Sequence, residues 1–388
     1  MKMHVAALYA LYGRRAGAEM FFEKTVETIS RLFPDVKWTV FCNREAEAVL
    51  RQVCPGVEAI HVPLLDNQFK KAFWLEFLAR KRVKALAPDV FWNPSGCNSF
   101  PGRGWPPPTV TTFLDLGEYR VKGKYDFKRT VFRKRICIPR SVRRSAAFTA
   151  ISRFTAEDMA RFLDVREGVA VVHCGPATHR QGGGADAGRL LKDRHGLEPR
   201  RYFFVPGRTD FIGKGLDLIL EAHDRLGADW PEGIQLVFVG PEGDGHPRFM
   251  DRLRASDPEG RQLMYLGRVE DEILGALYQE CLATVLPSRF EGFGFPVLEA
   301  MGYGVPVLCS DAGSLPEVAG EAALLFPSGD AGALAANLRR LAADPALRTQ
   351  LVERGRDRLP QFSWEKCARG MMAAFAGAVR KAGAAAEG

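Results

Sequence analysis

Short apolar runs alternate with longer stretches of helical periodicity along this chain, a pattern that predicts strand–helix units and parallel sheets. In the first half Val5–Leu11, Trp38–Cys42, Ala59–Val62, Val90–Trp92, Thr109–Leu114 and Ala147–Ile151 read as strands. Ala16–Phe33, Arg44–Val53, Asn67–Ala85 and Thr155–Phe162 read as the helices between them; Pro34 stops the first and the third ends before Pro88. A second set begins at Tyr202, with strands at Tyr202–Pro206, Ile234–Val239, Leu263–Leu266, Ala283–Leu286 and Pro306–Cys309. Its helices are Gly215–Arg225, Asp271–Glu280, Pro296–Gly302 and Ala331–Ala342. Ser363-Trp364-Glu365-Lys366 opens an alanine-rich terminal helix over 363–381, with Gly383–Gly388 frayed beyond it.

The expected class is therefore α/β, with two Rossmann-like domains. Residues 1–172 form the first, completed by the helix 363–381; residues 202–361 form the second. Between them, 173–201 is rich in glycine (Gly182, Gly183, Gly184, Gly188) and reads as a flexible linker. A length of 388 residues suits two domains of ordinary size.

Composition changes this picture at one place. The net charge is +8, yet Arg120–Arg144 alone carries eleven Lys or Arg and one acid, Asp126. The remainder, with 43 basic and 45 acidic residues, is at −2. Tyr125, Phe127, Val131, Phe132, Ile136 and Ile138 are interleaved with the cations, as in a basic amphipathic helix that lies on anionic lipid. A solvated helix has the same make-up. No nucleic-acid-binding signature accompanies the charge, so no nucleic-acid partner is expected. The eight cysteines form no C-x-x-C pair and the seven histidines no H-E-x-x-H, so neither a bound metal nor another protein-held cofactor is expected. No apolar run is long enough to span a bilayer, and the N-terminus lacks a signal-peptide pattern, so the expected location is cytoplasmic.

Candidate chemistry gathers in the loops that leave strands, where open α/β folds bind ligands. In Pro287-Ser288-Arg289-Phe290-Glu291-Gly292-Phe293-Gly294-Phe295-Pro296-Val297-Leu298-Glu299, a strand leads through a glycine-containing turn into a helix. Unpaired N–H groups of the turn and the positive helix end suit an anion, and Glu291 and Glu299 can accept from sugar hydroxyls. Either glutamate could equally be a solvated residue or, for Glu299 in the first helical turn, a complement to the dipole. Val205-Pro206-Gly207-Arg208 with Lys214-Gly215 offers a guanidinium and an ammonium for phosphate oxygens. It is no Walker A loop, because five residues separate Gly207 from Gly213 and Gly215 stands where Ser or Thr would hold magnesium. Gly13 and Gly17 flank the first strand–helix turn, which lacks G-x-G-x-x-G. Asp115, just past an apolar strand, can bind an acceptor hydroxyl or cap a turn.

Together, Glu291–Met301, Gly304-Val305-Pro306-Val307, Gly313-Ser314-Leu315-Pro316-Glu317-Val318 and Gly320-Glu321-Ala322-Ala323-Leu324 resemble the C-terminal signature of retaining GT-B glycosyltransferases of family four. Gly207-Arg208 with Lys214-Gly215 is similar to that family's phosphate-binding motif, Ser152-Arg153-Phe154-Thr155 to the segment closing its first domain, and Phe362-Ser363-Trp364 to the entry of its terminal helix. The resemblance implies two Rossmann-like domains facing a central cleft. It also implies transfer of a sugar, mannose or rhamnose-like, from a nucleotide diphospho-sugar to a glycan or lipid-linked glycan, without a bound metal. Arg208 and Lys214 would hold the diphosphate, and Glu299 the ribose. Glu291 would contact the transferred sugar beside the N–H groups of Gly292, Phe293 and Gly294, with Arg268 and Val269 framing the base. The family's His-Asp pair is Leu114-Asp115 here, which leaves Asp115 as the acceptor-side candidate. Association with the inner face of a membrane, through Arg120–Arg144, would suit a lipid-linked acceptor. A sugar-nucleotide isomerase and a non-catalytic nucleotide-sugar or membrane-surface binding protein are the alternatives on the same fold.

Overall fold

The computed structural model describes residues 2–13, 17–96, 105, 107–121, 127–177 and 184–387. Two compact units emerge: Met1–Gly175 with Ser363–Gly388, and Pro176–Phe362. Each is built on one sheet whose described strand pairs are all parallel.

In the first unit the strands are β1 (Met3–Tyr9), β2 (Val36–Cys42), β3 (Glu58–His61), β4 (Val90–Asn93), β5 (Thr109–Phe113), β6 (Ala147–Ala150) and β7 (Val169–Val171). They lie in the order β3-β2-β1-β4-β5-β6-β7. The central strands β1, β4 and β5 are buried almost throughout, β5 with Thr109, Thr111 and Thr112 among its buried residues, so they show no alternation of buried and exposed positions. On one face an aromatic cluster joins helix Gly17–Leu32 to the sheet. Phe22 stacks on Trp92 with ring centroids 5.0 Å apart, and Trp38 meets Phe375 of the terminal helix at 6.3 Å. That helix, Trp364–Glu387, packs along Gly17–Leu32 and is pinned by Arg31 and Glu365 at 2.5 Å. It stays helical to Glu387, so the fraying expected from residue 383 is not seen up to there.

The second unit contains β8 (Tyr202–Pro206), β9 (Gln235–Val239), β10 (Leu263–Tyr265), β11 (Ala283–Leu286), β12 (Val307–Ser310) and β13 (Ala323–Phe326), ordered β10-β9-β8-β11-β12-β13. One continuous core includes Phe203, Phe238, Phe249, Val285, Leu308 and Leu338. Helix Leu216–Leu226 follows β8 and packs beside Ala331–Ala343. The stretch expected to be a linker is structured in part. Ala187–His195 forms a helix that packs on Asp271–Glu280, because Ala187 and Leu191 give it a buried stripe and Gly196 closes it in the left-handed region. Gly182 and Gly183 lie outside the described residues.

In both sheets the strand order runs outward in two directions from a pair of neighbours, β1 and β4 in one and β8 and β11 in the other. At such a switch point the loops leaving adjacent strands diverge and open a crevice at the carboxyl ends.

Candidate functional site

The loops that leave β8 and β11 meet at the switch point of the second unit. The Arg289 N–H donates to Gly213 O at 2.9 Å, and the Arg289 side chain donates to Ile212 O at 2.8 Å and pairs with Asp217 at 2.5 and 2.8 Å. Gly215 makes the approach possible: it has φ +65°, and a Cβ there would stand 1.9 Å from Pro287 O. Locking these loops brings two of the expected residues into direct contact. Lys214 Nζ lies 2.6 Å from Glu291 Oε1, which also accepts from Ser288 Oγ at 2.7 Å. Arg208 is exposed on the same loop as Lys214, without an ion pair among the described residues, and Gly207 and Arg208 line a small pocket with Lys214, Pro287 and Ser288. The arrangement presents an ammonium with two further N–H donors and a free guanidinium beside a partly buried carboxylate.

The backbone of Glu291 is fixed from behind. Its carbonyl accepts from both the N–H and the Oγ of Ser314, each at 3.1 Å, and Gly313 packs so close that a Cβ would meet Glu291 O at 2.4 Å. The Gly313-Ser314 motif thus supports the turn. Gly292 and Phe293 lie in that turn, and Gly294 ends it at φ +100° as the N-cap of helix Phe295–Gly302.

Glu299 differs from expectation in position. The helix starts at Phe295, so Glu299 is its fifth residue and lies in the second turn, where it is only 9% exposed. Its partner is Tyr278, whose hydroxyl donates to Glu299 Oε2 at 2.5 Å. Burial, then the Glu299 charge, pushes the Tyr278 phenol well above its ordinary pKa, so it remains a donor. Tyr303 stacks parallel on Tyr278 at 5.4 Å. Nothing in the sequence pointed to Tyr278, which sits on helix Asp271–Glu280 at a position that reads as core. Gly267, Arg268 and Val269 follow β10, and Gly240 N donates to Gly267 O at 2.9 Å, tying that loop to the end of β9. Arg268 is exposed.

The remaining candidates belong to the first unit. Asp115 follows β5, one strand away from the switch point, and its Oδ1 accepts from Gly117 N at 2.8 Å in a turn. Gly13 follows β1, with its N–H on Glu45 Oε2 at 3.0 Å, and Gly17 opens helix Gly17–Leu32; Arg14, Arg15 and Ala16 lie outside the described residues. The basic stretch is not one free face. Arg120 pairs with buried Asp158 at 2.5 Å, and Arg133 with buried Glu118 at 3.0 Å. Residues 122–126 lie outside the described residues. Among the described residues no helix is long and apolar enough to cross a membrane.

Two parallel doubly wound sheets, one with cation-bearing loops at its switch point, place the protein in the GT-B class. Anabaena HepE, solved in complex with UDP and glucose, has the same fold, with a TM-score of 0.74 over 96% of this chain and 99% of that one at 16% identity. The family described as Glycosyl transferases group 1 matches residues 190–358 and Glycosyltransferase Family 4 matches residues 17–180. The chain belongs to these glycosyltransferases. The O-antigen chain mannosyltransferase B of Escherichia coli is 46% identical over 101 residues, 26% of each chain. The MMP alpha-(1→4)-mannosyltransferase of Mycolicibacterium hassiacum is 38% identical over 120 residues, 30% of this chain and 29% of that one. The chain thus spans less than a third of the length of these two curated relatives.

Proposed function

We propose that the protein transfers a hexose, with mannose the leading candidate, from a nucleotide diphospho-sugar to a glycan or lipid-linked glycan, with retention at the anomeric carbon. The observation that carries this reading is the contact between Lys214 and Glu291 where the two loops lock together. One Lys214 hydrogen is used on Glu291, which fixes the ammonium and leaves its other hydrogens for a diphosphate. Arg208 supplies a planar fork for the same oxygens. As the bond from the anomeric carbon to the diphosphate oxygen breaks, negative charge grows on the leaving group. Preorganised cations and turn N–H groups stabilise that charge without reorganising. These side chains do the electrostatic work that a metal ion does elsewhere. Glu291 then orients the sugar hydroxyls, and Glu299, held by Tyr278, takes the ribose. Mannose is favoured because both curated relatives described above are mannosyltransferases by name. Asp115 serves the acceptor.

Thermal stabilisation by UDP, GDP, ADP and dTDP identifies the nucleotide, since a ligand specific for the folded state raises Tm. Transfer from the matching sugar nucleotide then tests the reaction. Stabilisation by none of the four, or transfer undiminished in Lys214→Ala, rejects the site. Stabilisation without turnover on any acceptor favours the binding-protein alternative.

A further inference from the structure

Two helical segments of the first unit share a surface that sugar transfer does not use. One comprises Gln68–Phe73, the π-helical Trp74–Leu78 and Ala79–Leu86; the other Phe127–Phe132, the π-helical Arg133–Cys137 and Ile138–Arg144. Such π turns shift the helical register locally. In the first segment Trp74 and Leu75 are buried while Phe73, Phe77 and Leu78 are exposed, Phe77 by 66%. In the second, Cys137 and Ile138 are buried while Val131, Phe132 and Ile136 are exposed. The segments are neighbours: Arg140 Nη1 lies 2.9 Å from Glu76 Oε2, and Lys71 is within electrostatic reach of Cys137. Phe73 and Phe77 touch, with ring centroids 5.0 Å apart. Single exposed apolar residues are ordinary, but six on two joined helices form a patch.

The charge around the patch selects its partner. Over 68–86 and 127–144 there are fourteen Lys or Arg and one acid, Glu76. Glu76 is neutralised by Arg140. Arg133 is committed to Glu118, but Lys70, Arg80, Lys81, Arg82, Lys84, Lys128 and Arg135 are exposed around the apolar side chains. Apolar groups rimmed by cations fit the headgroup region of an anionic bilayer: cations meet lipid phosphates, and the apolar groups enter the acyl boundary. Single-stranded nucleic acid would use the cations and the phenylalanines, but Leu78, Val131 and Ile136 offer no ring for base stacking. We infer that the surface made by 68–86 and 127–144 docks the first unit on an anionic membrane, with Phe73, Phe77, Leu78, Phe132 and Ile136 as its anchors. The helical segment over 68–86 was not visible in the charge profile, which drew attention to Arg120–Arg144 alone.

This inference stands independently of the sugar-transfer reading, and its test needs no nucleotide. The full chain is floated with vesicles of phosphatidylcholine, or of phosphatidylcholine with about one third phosphatidylglycerol, in low and high salt. Binding is expected to the anionic vesicles only, weakened by salt. The double variant Phe77→Ser/Ile136→Ser should partition at least about tenfold more weakly. Lys81→Glu/Lys128→Glu should lose binding while keeping the parent Tm. Because all four positions are exposed, loss of the fold is not the expected cause, and an unchanged Tm checks this for both variants. Parent retention on neither vesicle, or equal retention of Phe77→Ser/Ile136→Ser, overturns the inference. So does salt-sensitive binding to single-stranded DNA in place of vesicles.

Discussion

The two switch points share a topology but differ in what their loops carry. After β8 and β11 the loops are knitted to each other by Arg289, Asp217, Lys214 and Glu291. After β1 the chain turns at Gly13, held by Glu45, and the polar candidate Asp115 follows β5, closing a local turn. Among the described residues, one unit assembles a charged site from distant segments, while in the other the Asp115 carboxylate closes a turn two residues on; Arg14 and Arg15, after β1, lie outside those residues. Strand order fixes where a crevice opens; the side chains of two particular loops decide what chemistry lines it.

The comparison can be broken most sharply at Lys214. Lys214→Ala should lower transfer by about a hundredfold to a thousandfold, the loss typical of removing a preorganised electrostatic group, while urea unfolding changes by no more than about 1 kcal/mol. A similar loss for Asp115→Ala would erase the asymmetry. Gly215→Ala tests the locking itself. Its Cβ would collide with Pro287 O at 1.9 Å, and a positive φ adds strain, so a stability loss of about 2–4 kcal/mol is expected by urea titration. Tyr278→Phe removes the donor to Glu299 without removing the ring. Nucleotide affinity should fall about fivefold to tenfold by calorimetry, with about 1–2 kcal/mol of stability lost. Asp115→Asn keeps an acceptor for Gly117 N–H but not the charge. Transfer should drop about tenfold at unchanged Tm, and an unchanged rate would reduce Asp115 to a turn residue.

The smallest effect concerns pH. Bonding to its own backbone N–H, then to Arg31, holds the Glu365 carboxyl below its usual range. Its contribution is full above the unfolded pKa and fades as pH falls through the lowered folded value. Glu365→Gln should therefore be slightly less stable than the parent at neutral pH, the gap closing in acid melts. A gap that persists at the lowest pH would assign the effect to packing.

Most strands were legible because burial on both faces leaves largely apolar runs, as at Leu236–Val239. Helix Pro345–Arg358 was not: only Leu347, Leu351 and Gly355 are buried, too narrow a stripe to stand out among its charges. His246–Ser256 hid behind the turn signals of Gly240-Pro241 and Gly245, with Phe249 and Leu253 as its buried residues. Strand β13, Ala323–Phe326, overlaps the end of the motif Glu321-Ala322-Ala323-Leu324 and lacks β-branched residues. Lys214 and Glu291 could be picked out because each follows a strand, but their contact spans 77 positions and depends on β8 lying beside β11. The Tyr278–Glu299 bond is hidden for the same reason, since no periodicity distinguishes a core tyrosine from one that orients a carboxylate.

The route of the backbone has a consequence for biosynthesis. The first unit fills its aromatic core with Phe375, yet residues 176–362 must be translated before that side chain leaves the ribosome. The second unit can therefore mature while the first still waits with an open hydrophobic slot beside Trp38 and Trp92, a window in which chaperones or aggregation compete for the nascent polypeptide.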